Sequence, residues 1–265
     1  MTTIPDFESI RLTIENRIGR LTLTNGAKGN PLGYTLGREL REAAIILDER
    51  RDLRVVVLTA EGKNFCVGGD LTVFAAQDDL SSTVKTMTAD YHQALSKLLR
   101  MEAPIICAMQ GACAGAGVAL GALADIVLAS ANSHYTIAYT AIGFSPDGAS
   151  TFVLPRLIGV RRFQELVLTN RRVGAAEAAA MGLVTEVVAD EALAERVEAL
   201  AQQIAAGPTK AYAATRRLLL STFETSLETQ LEWEARFLSE QCRTEDVKEG
   251  VAAALGRRKA DFKGR

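Results

Sequence analysis

The sequence predicts an α/β core followed by a helical C-terminal lobe. Three observations predict it: apolar runs of strand length alternate with helix-spaced segments to about residue 205, glycine-rich segments follow two of those runs, and only helical spacing is seen from about residue 190. Residues 10–14 (IRLTI) and 17–23 (RIGRLTL) alternate around Glu15 and Asn16 and read as a hairpin. Leu36, Leu40, Ala43, Ala44 and Leu47 mark a helix face, and residues 54–59 (RVVVLT) a buried strand. The order repeats, with Val84, Met87, Tyr91, Leu95 and Leu98 on a helix before the strand 104–109 (PIICAM). Residues 126–129 form a further strand, helices lie around 152–157 and 161–168, the alanine-rich segment 175–180 is helical, and 183–188 is the last strand. Gly207 and Pro208 separate a helix running to Ala206 from amphipathic stretches at 212–220, 227–238 and 247–255. The expected organisation is a core of residues 1–205 and a helical region, 206–265, whose apolar faces need a packing partner such as a second subunit.

Composition narrows the function. With 265 residues, 48% hydrophobic and 23% charged, the chain can bury a sizeable core. Its net charge of −2 gives no field that favours nucleic acid or an anionic membrane. The four cysteines (Cys66, Cys107, Cys113, Cys242) form no CxxC and have no histidine at zinc spacing, so neither a disulfide framework, a metal site nor an oxidising compartment is expected. The opening MTTIPDFESI has acids and no apolar run, unlike an export signal, so a cytoplasmic location is expected. Residues 103–124 are uncharged and long enough to cross a bilayer, but Pro104, Gln110 and four glycines make a buried strand–loop–helix unit the better expectation.

Chemistry concentrates after two strands, in residues 62–71 (GKNFCVGGDL) and 110–119 (QGACAGAGVA). Small residues there let backbone N–H groups approach a ligand without obstruction. Two such loops can form an oxyanion hole around a carbonyl oxygen that gains charge, or can serve close helix–strand packing alone. Nucleotide motifs fail: Leu120 stands where a dinucleotide fingerprint needs its third glycine, and Gly62-Lys63 lacks the following Ser or Thr of a P-loop. Gly143 to Asp147 is no nucleophile elbow either, since Asp147 replaces its second glycine.

The chain resembles the crotonase, or enoyl-CoA hydratase/isomerase, superfamily. The resemblance rests on residues 64–71 (NFCVGGDL), 103–126 (APIICAMQGACAGAGVALGALADI), 142–159 (IGFSPDGASTFVLPRLIG), 168–188 (LTNRRVGAAEAAAMGLVTEVV) and 256–264 (GRRKADFKG). It implies a crotonase/ClpP-like spiral of ββα units with a helical C-terminal trimerisation region, in homotrimers or dimers of trimers. It also implies an acyl-CoA thioester substrate that brings its own coenzyme A, with no separate cofactor, metal or nucleic acid. By position, the backbone N–H groups of Gly69 and Ala116 form the oxyanion hole. Lys28, Phe65, Cys66, Val67 and Gly68 lie along the coenzyme A, and Asp70, Leu71 and Gly115 belong to the same binding segments. Arg258, Lys259 or Lys263 would approach its phosphates from a neighbouring subunit.

The carboxylates decide the reaction. Hydratases of the family position water with two glutamates, whose places are taken here by Ala119 and Tyr139, neither of which exchanges protons as a carboxylate does. Between Glu102 and Arg156 the only acids are Asp125, assigned a structural role, and Asp147, in a Pro-Asp-Gly turn where the family keeps its acyl pocket. Asp147 is the expected base, buried among Tyr139, Phe144 and Phe152. One carboxylate suffices to move a double bond, taking a proton from one carbon and returning it to another while the oxyanion hole holds the enolate. Family members with such a turn resemble ring-epoxide isomerases and 3-enoyl to 2-enoyl isomerases. Alternatives are a hydratase, a non-catalytic acyl-CoA binder, and a dehalogenase-like hydrolase with Asp147 as nucleophile and His92 as base, although such dehalogenases carry Trp in place of Tyr139. His92, one residue off the apolar stripe, also suits a plain boundary histidine, and His134 is placed in a loop with no role.

Overall fold

The computed structural model describes residues 4–265. Its strands are β1 (Ile10–Glu15), β2 (Ile18–Leu23), β3 (Val55–Ala60), β4 (Ile105–Met109), β5 (Ala112–Ala114), β6 (Ile126–Ser130), β7 (His134–Thr136), β8 (Val173–Gly174) and β9 (Glu186–Val188). Six of them form one sheet in the order β1-β2-β3-β4-β6-β9, and β5-β7-β8 form a second, smaller sheet. The hairpin turns on Asn16 and Arg17, both with positive φ, the geometry whose twist suits a two-residue connection. From β2 to β9 the large sheet is parallel, and β4 is buried along its whole length, as expected of strands covered on both faces.

The helices are α1 (Tyr34–Glu49), α2 (Leu71–Ala75), α3 (Leu80–Arg100), α4 (Ala116–Ala122), α5 (Ser150–Ile158), α6 (Val160–Thr169), α7 (Ala175–Ala180), α8 (Leu193–Ala205), α9 (Thr209–Ser221), α10 (Leu227–Gln241) and α11 (Glu245–Leu255). One face of the large sheet packs through Leu21, Val56, Leu58 and Cys107 onto residues of α1, α3 and α4. The other packs through Val55, Val57, Ile106 and Leu128 onto Leu193, Val197 and Leu200 of α8.

The uncharged stretch 103–124 resolves into β4, β5 and α4, and no described helix is long and apolar enough to cross a membrane. Two expectations need correction. His134 opens β7 rather than lying in a loop, because its backbone pairs with β5 on one side and β8 on the other. The last strand begins at Glu186, since the N–H groups of Leu183 and Val184 turn back to the carbonyl of Ala178 at the end of α7.

Candidate active site

The segments that leave β3 and β4 are laced together by their own backbones. Phe65 N–H donates to the carbonyl of Gln110 at 2.8 Å and Ala114 N–H to that of Cys66 at 2.9 Å. Leu32 joins from the third side, donating to Gly68 at 2.7 Å and accepting from Asp70 at 2.9 Å. Behind them the fully buried Asn30 points its amide at the carbonyls of Glu61, Asn64 and Phe65, each at 3.0 Å.

Gly68 (φ +94°) and Gly115 (φ +49°) sit in backbone regions that side chains disfavour, and each immediately precedes a predicted oxyanion donor. Among the described residues, neither the N–H of Gly69 nor that of Ala116 is donated to a protein acceptor. Ala116 is the first residue of α4, so its N–H has no partner inside the helix. Both residues line one cavity of about 680 Å³, enclosed by the two glycine segments, α3 and residues 138–147.

Asp147 lines the same cavity. Its carbonyl accepts from Tyr139 Oη at 3.1 Å, Ser150 Oγ at 2.5 Å and Ser150 N at 3.1 Å, which pins the turn from three directions. Its carboxylate Oδ1 lies 2.8 Å from Nε2 of His92 on α3. The Asp147 side chain is 37% exposed and that of His92 50%, and both border a second depression of about 450 Å³. Burial pushes the Tyr139 phenol up to about 12, against the opposing bond to Ser150, so this neighbour stays a neutral donor near pH 7. Tyr91, buried on α3, donates from Oη to the carbonyl of Ala116 at 2.8 Å, and burial pushes its phenol well above the usual range.

Most of the predicted site residues converge. Gly69, Ala116, Asp147, Val67, Gly68, Leu71, Gly115, Tyr139 and Phe144 all line the large cavity, with Phe74 packed edge-on against Phe144 at 5.7 Å. The others lie off it. Phe65 and Cys66 are buried in the core, and burial raises the Cys66 thiol to about 11. Lys28 is exposed in the short 3-10 turn Gly26–Lys28. Asp70 caps α2, accepting from Thr72 N and Oγ1, bonds that hold its carboxyl below the usual range. His92 borders the second depression and reaches the large cavity only through Asp147.

The expected burial of Asp147 does not hold for this chain by itself. Phe152 faces the second depression beneath the guanidinium of Arg156, 3.5 Å from its ring centre, and leaves that side of the carboxylate open. Asp125 is structural as expected, accepting from Ile105 N at 2.7 Å and Arg216 Nε at 2.8 Å. In the basic tail, Arg258 forks onto Glu249 and Lys263 pairs with Asp261. Sequence reasoning missed Asn30 and Ser150 and gave Tyr91 only a packing role. The Asn-Pro step at 30–31 and the serine three residues after Asp147 were the available signals, and each is common in plain turns.

Comparison with known proteins identifies the family and the fold. Residues 13–265 match the family described as enoyl-CoA hydratase/isomerase. A probable enoyl-CoA hydratase of Rhodobacter capsulatus is 34% identical, with 98% of this chain and 99% of the relative covered. The 1,2-epoxyphenylacetyl-CoA isomerase of Escherichia coli is 30% identical over 97% of this chain and 99% of its own. Among solved structures, a putative enoyl-CoA hydratase/isomerase from Mycobacterium abscessus superimposes with a TM-score of 0.92 at 33% identity, covering 97% of this chain and all of that one. The chain belongs to the enoyl-CoA hydratase/isomerase family of the crotonase superfamily, and its mixed α/β architecture is the crotonase fold.

Proposed function

We propose that the protein is an acyl-CoA isomerase that uses Asp147 as its single acid/base. One observation carries this reading: among the described residues, Asp147 is the sole carboxylate in the lining of the cavity that also holds the undonated N–H groups of Gly69 and Ala116. A thioester carbonyl between those two donors is polarised, which acidifies the adjacent carbon. The Asp147 carboxylate takes a proton from that carbon, the electron pair moves into the enolate, and the resulting acid returns the proton at the γ carbon. The double bond shifts, and neither water nor a second base is consumed. Coenzyme A arrives with the substrate, and the exposed apolar surface of the C-terminal helices supports a homotrimer or a dimer of trimers.

Incubation with 3-hexenoyl-CoA and, separately, 2-hexenoyl-CoA in heavy water tests the reading. Interconversion with deuterium at carbon and no 3-hydroxyacyl product is expected. Asp147→Asn should slow it by roughly a thousandfold or more, the scale of losing a general acid/base. Rapid hydration, or an Asp147→Asn variant at full rate, would sink it.

The contact between His92 and Asp147 favours one second reading, a hydrolase in which Asp147 attacks an aryl carbon and His92 activates the water that releases the product. Chloride release from a chlorobenzoyl-CoA would establish it in place of isomerisation.

A further inference from the structure

The two halves of the site are held by neighbouring residues of one helix. Tyr91 and His92 are consecutive on α3. Tyr91 Oη grips the carbonyl of Ala116 at 2.8 Å, so the residue whose N–H points into the oxyanion hole is fixed on one side by Gly115 and on the other by this bond. The same ring supports the base. A Cβ on Gly148, the residue after Asp147, would stand 2.7 Å from Tyr91 Cε1 and 3.5 Å from its Oη, so the turn lies against the ring beside its hydroxyl and its glycine makes room for it. His92 holds the other end of that turn through its contact to Asp147 Oδ1 at 2.8 Å. A carboxylate only accepts hydrogen bonds, so an ionised Asp147 takes the proton-bearing Nε2 of His92 as donor. That occupies Oδ1 and leaves Oδ2 for the substrate proton.

We infer that Tyr91 and His92 are positioning residues which together fix the base relative to the oxyanion hole, Tyr91 through the backbone of Ala116 and the Asp147 turn, His92 through Oδ1 of the carboxylate. This rests on the acid/base and oxyanion roles proposed above. It assigns work to a buried tyrosine that a packing role would leave indifferent to loss of its hydroxyl. It also gives His92 a part in isomerisation in which the imidazole need not ionise.

Two readouts on the whole protein separate the parts. The first is the red shift of bound 4-(dimethylamino)cinnamoyl-CoA, a chromophoric thioester that reports polarisation of its carbonyl and needs no base. The second is hydrogen–deuterium exchange at the α carbon of 3-hexenoyl-CoA, which needs hole and base together. Tyr91→Phe should lose at least about half of the red shift and slow exchange roughly tenfold with KM unchanged. His92→Ala should keep the red shift and slow exchange roughly tenfold to a hundredfold, and His92→Gln, which retains an N–H donor, should recover most of that loss. An unaltered red shift in Tyr91→Phe, or unaltered exchange in His92→Ala, overturns the corresponding half. If Gln is no better than Ala, the imidazole itself moves a proton and the positioning role is wrong. Should the unaltered protein show no red shift, the oxyanion reading fails and the Tyr91 role with it. If Asp147→Asn exchanges at full rate, the base assignment and the His92 role fail while the Tyr91–Ala116 role stands.

Discussion

Asn30 carries more of the site than its place in the chain suggests. It lies far from both glycine segments in sequence, yet its buried amide is the common donor to three carbonyls of the segment that presents Gly68 and Gly69. Asn30→Ala strands those carbonyls without their donor, and an unfolding free energy lower by about 2 kcal/mol is expected from urea denaturation. Asn30→Asp should be worse than alanine, because a carboxylate has no proton to offer and would face three oxygens in a dry pocket. A ranking with aspartate above alanine would refute this account. Such a residue is invisible to sequence patterns, since its partners are backbone atoms and leave no side-chain signature. Asp147 was selected differently: only two acids lie between Glu102 and Arg156, and the family resemblance puts the acyl pocket at the turn that carries one of them. Its partner His92 was named only through the resemblance to dehalogenases, because the contact between His92 and Asp147 joins two elements that no spacing rule connects.

At the scale of elements, legibility followed length and burial. β3, β4 and the facing stripes of α1 and α3 were plain, because long runs of buried residues repeat the period of the element they form. β5, β7 and β8 were not, since strands of two or three residues are defined by their neighbours rather than by their own composition. The chain end beyond α11 is held by another kind of contact. Asp246, itself buried, accepts from the N–H groups of Lys263 and Gly264, and Glu249 accepts from Arg258 and from Asp261 N–H. The Arg258 guanidinium first, then the Asp261 amide, draws the Glu249 carboxyl down to about 2 from an ordinary 4.5. A lowered carboxyl supports the fold above its unfolded value, so this contribution is present above pH about 4.5 and is lost as pH falls toward about 2. Glu249→Gln should reproduce the loosening at neutral pH, read as weaker protection of the Asp261 amide in hydrogen exchange. Protection equal to that of the unaltered protein would mean that the Asp246 contacts suffice alone.

Across the whole molecule, the C-terminal helices leave apolar faces uncovered. α10 runs for 15 residues with none buried, and Phe223, Leu227, Leu231, Leu238 and Leu255 are exposed on α9–α11 and the turns beside them. The amphipathic stretches in the sequence already called for a partner, and the folded chain does not supply one for these faces. Sedimentation should therefore find an assembly larger than one chain, and Phe223→Glu with Leu238→Glu should shift it to smaller species, because each places a charge where apolar contact is expected. A helix with no core of its own also changes what thermal stability means for this protein. If its faces are covered by further copies, association and folding share one equilibrium, and a hundredfold rise in free partner adds up to about 2.7 kcal/mol to the folded state. Melting temperature should then climb with protein concentration, so that dilution alone, with no change in sequence, pH or salt, brings the molecule closer to unfolding.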